Sequence, residues 1–227
     1  MDDHAVVDVG DVRLAYRTWG DPDGAPVVLL HGLAGSSATW EETGQALGAE
    51  WRVYAVDLRG HGESDWPEEY SFELMRDDVL GFLDELDLDR VGLVGHSMGG
   101  VVAYLLAQDY PDRVERLVLE ETPPPYPREP VPSVRPEGPL DYDWPVVPAI
   151  RSQVFDPNPE WADRLGEIIA PTLIVAGGPD SSLPQARIPD MAAEIPDCRL
   201  ITIPVGHRVH VLQPGRFVQT VSEFFTS

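Results

Sequence analysis

The sequence predicts an α/β fold, a mostly parallel β-sheet with helices on both faces and a reduced, proline-rich lid. Three observations carry this. Short β-type runs alternate with segments of helical periodicity along most of the chain, the pattern of a parallel sheet covered on both sides. The runs at 27–30 and 91–95 are apolar or glycine throughout and read as buried strands. One segment breaks the alternation: between residues 122 and 148, 10 of 27 residues are proline, too many for a helix or a central strand.

Taken in order, residues 5–9 and 12–18 read as a hairpin turned at Gly10 and Asp11. Residues 27–30 form a strand, 39–50 a helix and 52–57 the next strand. Ser71 begins a helix that places Phe72, Leu74, Val79, Phe82, Leu83 and Leu86 on one broad face. A strand follows at 90–95, then a helix at 98–110 that stops at Pro111. Strands at 114–120 and 172–176 complete the central pattern, followed by a helix near 189–195, a last strand at 200–204 and a last helix at 214–225. The proline-rich stretch has the length of a lid or binding loop, and its aromatics Tyr126, Tyr142 and Trp144 favour a packed lid over a free linker. The 227 residues suit one domain spanning 1–227, with a lid-like insertion at about 122–161.

Composition removes several classes of function. Asp and Glu total 39 against 16 basic residues, for a net charge of -23, and every basic residue is arginine. Such a field repels nucleic acid and anionic membranes, so neither is an expected partner. A solubilising surface explains the charge, and adaptation to high salt is the alternative. No stretch approaches the roughly 20 apolar residues of a membrane span, and the start MDDHAVVDVG lacks the features of a signal peptide. Cys198 is alone, so no internal disulfide forms and a cytoplasmic location is expected.

The chemistry centres on VGLVGHSMGGVV at 91–102. A nucleophilic serine on a sharp strand-to-helix turn needs close chain approach two residues to either side, and Gly95 and Gly99 supply that room because they lack a Cβ. Met98 opens the helix, so its N–H is free to face developing negative charge. A strand before the motif and a helix after it are the context that makes Gly-x-Ser-x-Gly informative.

With these residues in view, the chain resembles the α/β-hydrolase family. The likeness runs from VVLLHGLAGSSATW through VDLRGHGESD and VGHSMGG to IPVGHRVH. It implies Ser97 as nucleophile and His207, after the last strand and before the last helix, as general base. It also implies an oxyanion hole from the backbone N–H groups of Leu33 and Met98. The orienting acid stays open between two positions. Asp180 lies after the penultimate strand, the commonest family position. Glu121 lies after the strand that follows the nucleophile helix, an arrangement that resembles haloalkane dehalogenases. Glu121 is preferred, because a Glu120–Glu121 pair beside a buried sheet is hard to explain as solvated surface; Glu120 is a remote third.

Of the other histidines, His31, His61, His96 and His210 read as structural and His4 as solvated, while Asp57 and Arg59 brace a turn. Tyr126, Tyr142, Trp144 and Phe155 are expected to line the substrate pocket. No His or Cys cluster has zinc spacing and no phosphate-binding loop follows a strand, so neither metal nor cofactor is expected. The resemblance implies a serine hydrolase of the carboxylesterase or lactonase kind, acting on a small to medium ester or lactone through an acyl-enzyme. A C–C bond hydrolase, an amidase, a perhydrolase or a non-catalytic ligand-binding relative are the alternatives.

Overall fold

Strand β1 (Asp3–Val9) turns back on β2 (Val12–Trp19) with Val9 opposite Val12, and Gly10 makes the turn at φ 57°, where an L side chain is disfavoured. In the computed structural model, which describes residues 3–227, this hairpin edges a sheet of order β1-β2-β4-β3-β5-β6-β7-β8. β2 runs antiparallel to β4 (Arg52–Val56). From there β3 (Pro26–Leu30), β5 (Val91–His96), β6 (Val114–Glu120), β7 (Thr172–Ala176) and β8 (Cys198–Thr202) are parallel to their neighbours and to β4.

The two-residue period of a strand explains why both faces are covered. Val28 and Leu30 point into one apolar cluster with Phe72, Val79, Val102 and Leu106, which belong to α2 (Phe72–Glu85) and α3 (Met98–Asp109). Val27 and Leu29 point into the opposite cluster with Leu47, Phe217 and Val221, from α1 (Glu41–Leu47) and from α8, the helix Pro214–Phe225. α3 is buried from Met98 to Gln108, as befits a helix apolar on all sides. Ser71 caps α2 by accepting from the Leu74 N–H at 3.1 Å, the expected cap geometry. Among the described residues, no helix is long and apolar enough to cross a membrane.

Three elements differ from expectation. The helix predicted at 39–50 is a 3₁₀ turn, Ser37–Trp40, followed by α1. The last strand begins at Cys198, because it pairs with β7 from Thr172 onward. The larger difference is in the proline-rich segment. Residues 122–145 carry no helix or strand beyond one bridge between His61 and Tyr142, but α4 (Val146–Phe155) then forms. Pro145 precedes this helix and Pro148 lies in its first turn, where backbone N–H groups have no intrahelical acceptor and proline costs little. The short α5 (Pro159–Asp163) follows, and α6 (Ile188–Glu194) and α7 (Val209–Leu212) flank β8.

Candidate active site

The register of the sheet sets the site. Leu30 lies opposite Gly95 and His96 opposite Glu120, so β3, β5 and β6 end side by side and their loops converge. Ser97 follows β5 with φ 51° and ψ -110°, a strained conformation for a residue with a Cβ. Its N–H donates to the Glu120 carbonyl at 2.9 Å, and the Gly99 N–H donates to the His31 carbonyl at 3.1 Å. A Cβ on Gly95 would lie 2.6 Å from Gly100 Cα, and one on Gly99 would lie 2.7 Å from the His31 carbonyl oxygen. The turn therefore has no room for side chains at these two positions.

His207 sits after β8, between Gly206 and α7. Its Nε2 is 3.1 Å from Ser97 Oγ and its Nδ1 is 3.1 Å from Glu121 Oε2. A carboxylate only accepts, so Nδ1 carries the proton and Nε2 is left to accept from the serine hydroxyl. The His207 carbonyl in turn accepts from His96 Nε2 at 2.8 Å, which ties the His207 backbone to the residue preceding Ser97. Burial pulls the His96 ring down to about 4, so it stays a neutral donor.

Glu121 follows β6 at φ 48°, a second residue outside the usual backbone range at this site. Its side chain is fully buried. The carboxylate accepts from the Gly177 N–H, the Ser181 hydroxyl and Gln185 Nε2 as well as from His207. Burial acts to raise the carboxyl, but these bonds together hold it below the ordinary value. Asp180, the alternative candidate for the acid, is exposed and makes no side-chain bond to His207. Its loop contributes through the uncharged Ser181 and Gln185 instead; hydroxyl and amide residues just after a strand are the available signal.

Glu120 has a separate role. Its carboxylate accepts from His210 Nδ1 at 2.7 Å and from the His210 backbone N–H at 2.9 Å, and His210 stacks on Trp40 with centroids 4.0 Å apart. Among the described residues, His96, Glu120 and His210 are the one cluster whose donor atoms could surround a metal ion. His210 Nδ1 is committed to Glu120 and His96 Nε2 to the His207 carbonyl, so the group reads as a hydrogen-bonded polar core; His210 Nε2 is the one atom of it that is buried with no partner.

Two further histidines brace the loop after β3. His31 Nδ1 donates to the Gly32 carbonyl at 2.8 Å while its Nε2 accepts from the Leu58 N–H at 3.0 Å. His61 Nδ1 donates to the Arg59 carbonyl at 3.0 Å and its Nε2 accepts from the Ala34 N–H at 3.2 Å. Asp57 ties the same region by accepting from the Ser37 N–H at 2.5 Å, and Arg59 forms a buried pair with Asp78 at 2.5 Å. Leu33 and Met98 both line the cavity above Ser97, and Met98 is the first residue of α3.

That cavity has a volume of about 610 Å3 and includes Ser97 and His207 in its wall. Ile150, Arg151, Val154 and Phe155 of α4 form one side, at the spacing of a single helical face. Of the four residues expected to line it, Phe155 does so. The other three are corrections. Tyr126 lies under the Arg187 guanidinium at 3.9 Å. Tyr142 packs by the buried His61 ring, and Trp144 packs on the core. Aromatic content marked these residues as packed without indicating the surface they pack on. Arg128, Arg151 and Arg208 line the cavity and were not among the expected residues.

Comparison with known proteins bears on the fold. A profile of the alpha/beta hydrolase fold matches residues 25–145. A Bacillus subtilis (strain 168) protein, provisionally named 2-succinyl-6-hydroxy-2,4-cyclohexadiene-1-carboxylate synthase, is 31% identical over 265 residues that take in 95% of this chain and 96% of that one. A solved N-acyl homoserine lactone degrading enzyme aligns with a TM-score of 0.85 at 29% identity, covering 97% of this chain and 100% of its own. A thermophilic esterase from Thermogutta terrifontis aligns with a TM-score of 0.84 at 27% identity, covering 99% and 98%. Other curated relatives match 47% to 54% of this chain and only 30% to 39% of their own length. The strained serine turn, the parallel sheet that presents it and the matched profile lead to one assignment: the chain belongs to the alpha/beta hydrolase fold family.

Proposed function

We propose that this protein is a serine hydrolase that cleaves a carboxylic ester or lactone of small to medium size through an acyl-enzyme. The observation that carries the reading is the continuous path from Glu121 Oε2 through both ring nitrogens of His207 to Ser97 Oγ, each contact 3.1 Å. In the reaction, His207 Nε2 takes the hydroxyl proton as Ser97 Oγ bonds to the carbonyl carbon, and Glu121 stabilises the imidazolium without taking the proton. The backbone N–H groups of Leu33 and Met98 receive the oxyanion; losing one such donor typically costs about 3 kcal/mol of transition-state stabilisation. The imidazolium then protonates the leaving oxygen, and water activated by the same nitrogen releases the acyl group. No step calls for a metal or cofactor. The likeness to a lactone-degrading enzyme and an esterase supports this substrate class.

A second reading rests on the full-length likeness to a protein named as a synthase: the same Ser97–His207 pair would move a proton within a substrate without acyl transfer. A fluorophosphonate probe separates the two when combined with turnover. Ser97 is expected to be labelled, the Ser97→Ala variant is not, and short p-nitrophenyl esters are expected to be hydrolysed with a burst. A labelled serine without ester turnover would favour the second reading.

A further inference from the structure

In a chain so acidic, arginines readily find carboxylates: Arg59, Arg113 and Arg164 each hold an aspartate at 2.5 to 2.6 Å. Arg128, Arg151 and Arg208 are different. Among the described residues none of the three is paired with an acid, and all three contribute to the wall of the cavity that contains Ser97 and His207. Arg128 is half-buried; its Nε is buried with no hydrogen-bond partner. Its guanidinium shares the Phe155 ring with that of Arg151, at 5.6 Å and 5.3 Å from the centroid. Burial and the neighbouring Arg151 charge both act to lower the Arg128 pKa.

Two like charges held together, one with a buried unsatisfied donor, are an unfavourable arrangement unless something else occupies the site. Backbone contacts keep them in place: the Arg128 N–H donates to the Phe155 carbonyl at 2.9 Å and Arg151 Nη2 donates to the Val131 carbonyl at 3.2 Å. The same wall includes the apolar Ile150, Val154 and Leu183, so an anion placed there would meet positive charge beside apolar side chains. Glu129, the acidic side chain in the wall, is exposed. A planar guanidinium fork matches a carboxylate through two parallel hydrogen bonds.

We propose that the substrate bears a carboxylate remote from its reacting carbonyl, and that Arg128 and Arg151, with Arg208 at the rim, receive it while the carbonyl lies at Ser97. The position of the carbonyl rests on the hydrolase reading; the anion site itself does not. The arrangement selects a charged substrate against the repulsion of the whole molecule's charge of -23.

Two measurements test this. First, mono-p-nitrophenyl glutarate and p-nitrophenyl pentanoate differ in a terminal carboxylate against a methyl. The acidic ester is expected to have a kcat/KM about tenfold higher or more, the range of one or two charge-assisted hydrogen bonds. The ratio should fall to one or below in Arg151→Gln and in Arg128→Gln, and should shrink with added salt in the unaltered protein, a result that does not depend on either variant folding. Second, glutarate should bind Ser97→Ala in a calorimeter, and that binding should be lost when Arg151→Gln is added. A ratio near one with the pentanoate ester still hydrolysed, and no glutarate binding, would overturn the anion site and leave the hydrolase reading intact. Arginine-dependent glutarate binding without turnover of either ester would uphold the site and overturn the hydrolase reading. Binding of phenyl phosphate but not glutarate would overturn the assignment to a carboxylate.

Discussion

Ser97 and Glu121 share a feature unusual for residues with side chains: both have positive φ, 51° and 48°. Such positions persist only where the surroundings hold them, and here each lies one step past the end of a central strand. That Ser97 and His207 come together was legible because each is fixed by its chain neighbours, the glycines of one turn and the strand–helix junction of the other. The carboxylate that meets His207 was read only as a preference for Glu121 over Asp180, because it depends on which carboxylate after a strand turns inward. Glu121 is fully buried against His207, whereas Asp180 is exposed, and nothing local in either sequence determines that. Glu121→Gln is accordingly expected to lower turnover by up to about 10⁴-fold, the scale seen when a triad acid becomes an amide. Asp180→Asn should change it little. Turnover of p-nitrophenyl esters by variants with unchanged melting curves checks this, and the reverse pattern would reject the assignment of Glu121.

At the scale of elements, the alternation of strands and helices was legible because burial on both faces writes continuous apolar runs and helical stripes into the sequence. α4 was not, because its prolines mask it. Their positions before and inside the first turn are those a helix tolerates, and a count of prolines does not see position. This helix forms one wall of the cavity, and a proline count marks the segment without showing the face it turns to that cavity. The loop after β7 is the second element whose role came only from the fold. It supplies three donors to Glu121, from Gly177, Ser181 and Gln185. Ser181→Ala leaves a buried carboxylate with one fewer donor, and is expected to cost about 1–3 kcal/mol of stability with a moderate loss of turnover. Urea denaturation read beside kcat measures both; unchanged stability would mean that the Ser181 contact contributes nothing.

For the whole molecule, the main consequence concerns acid. Burial depresses His61 to about 3 and His96 to about 4 from an ordinary 6.5. As pH falls below 6.5, the unfolded chain takes up protons that the folded chain refuses, so stability is lost on acidification and recovered as pH rises through this window. Each such histidine contributes about 1.4 kcal/mol per pH unit. Glu120 and Glu121 act in the same direction at lower pH. Both are held below the ordinary 4.5 despite burial, so their contribution is present above that value and lost as pH falls past it. Unfolding in urea at pH 7, 6 and 5 is expected to show a falling midpoint, with a shallower fall in His61→Gln. A midpoint flat from pH 7 to 5 would contradict it. The sequence announced the acidic surface but not these buried groups, since a histidine's titration is set by neighbours distant along the chain.

The bond from His96 Nε2 to the His207 carbonyl has a further consequence for motion. It fastens His207 by its peptide, while Glu121 and Ser97 hold the imidazole at its two nitrogens. The main-chain bond and the two ring bonds together fix the position of His207 beside Ser97 from backbone and side chain alike. If the proposed reaction holds, the segment after β8 is a fixed mount for the ring, registered to the main chain beside the serine.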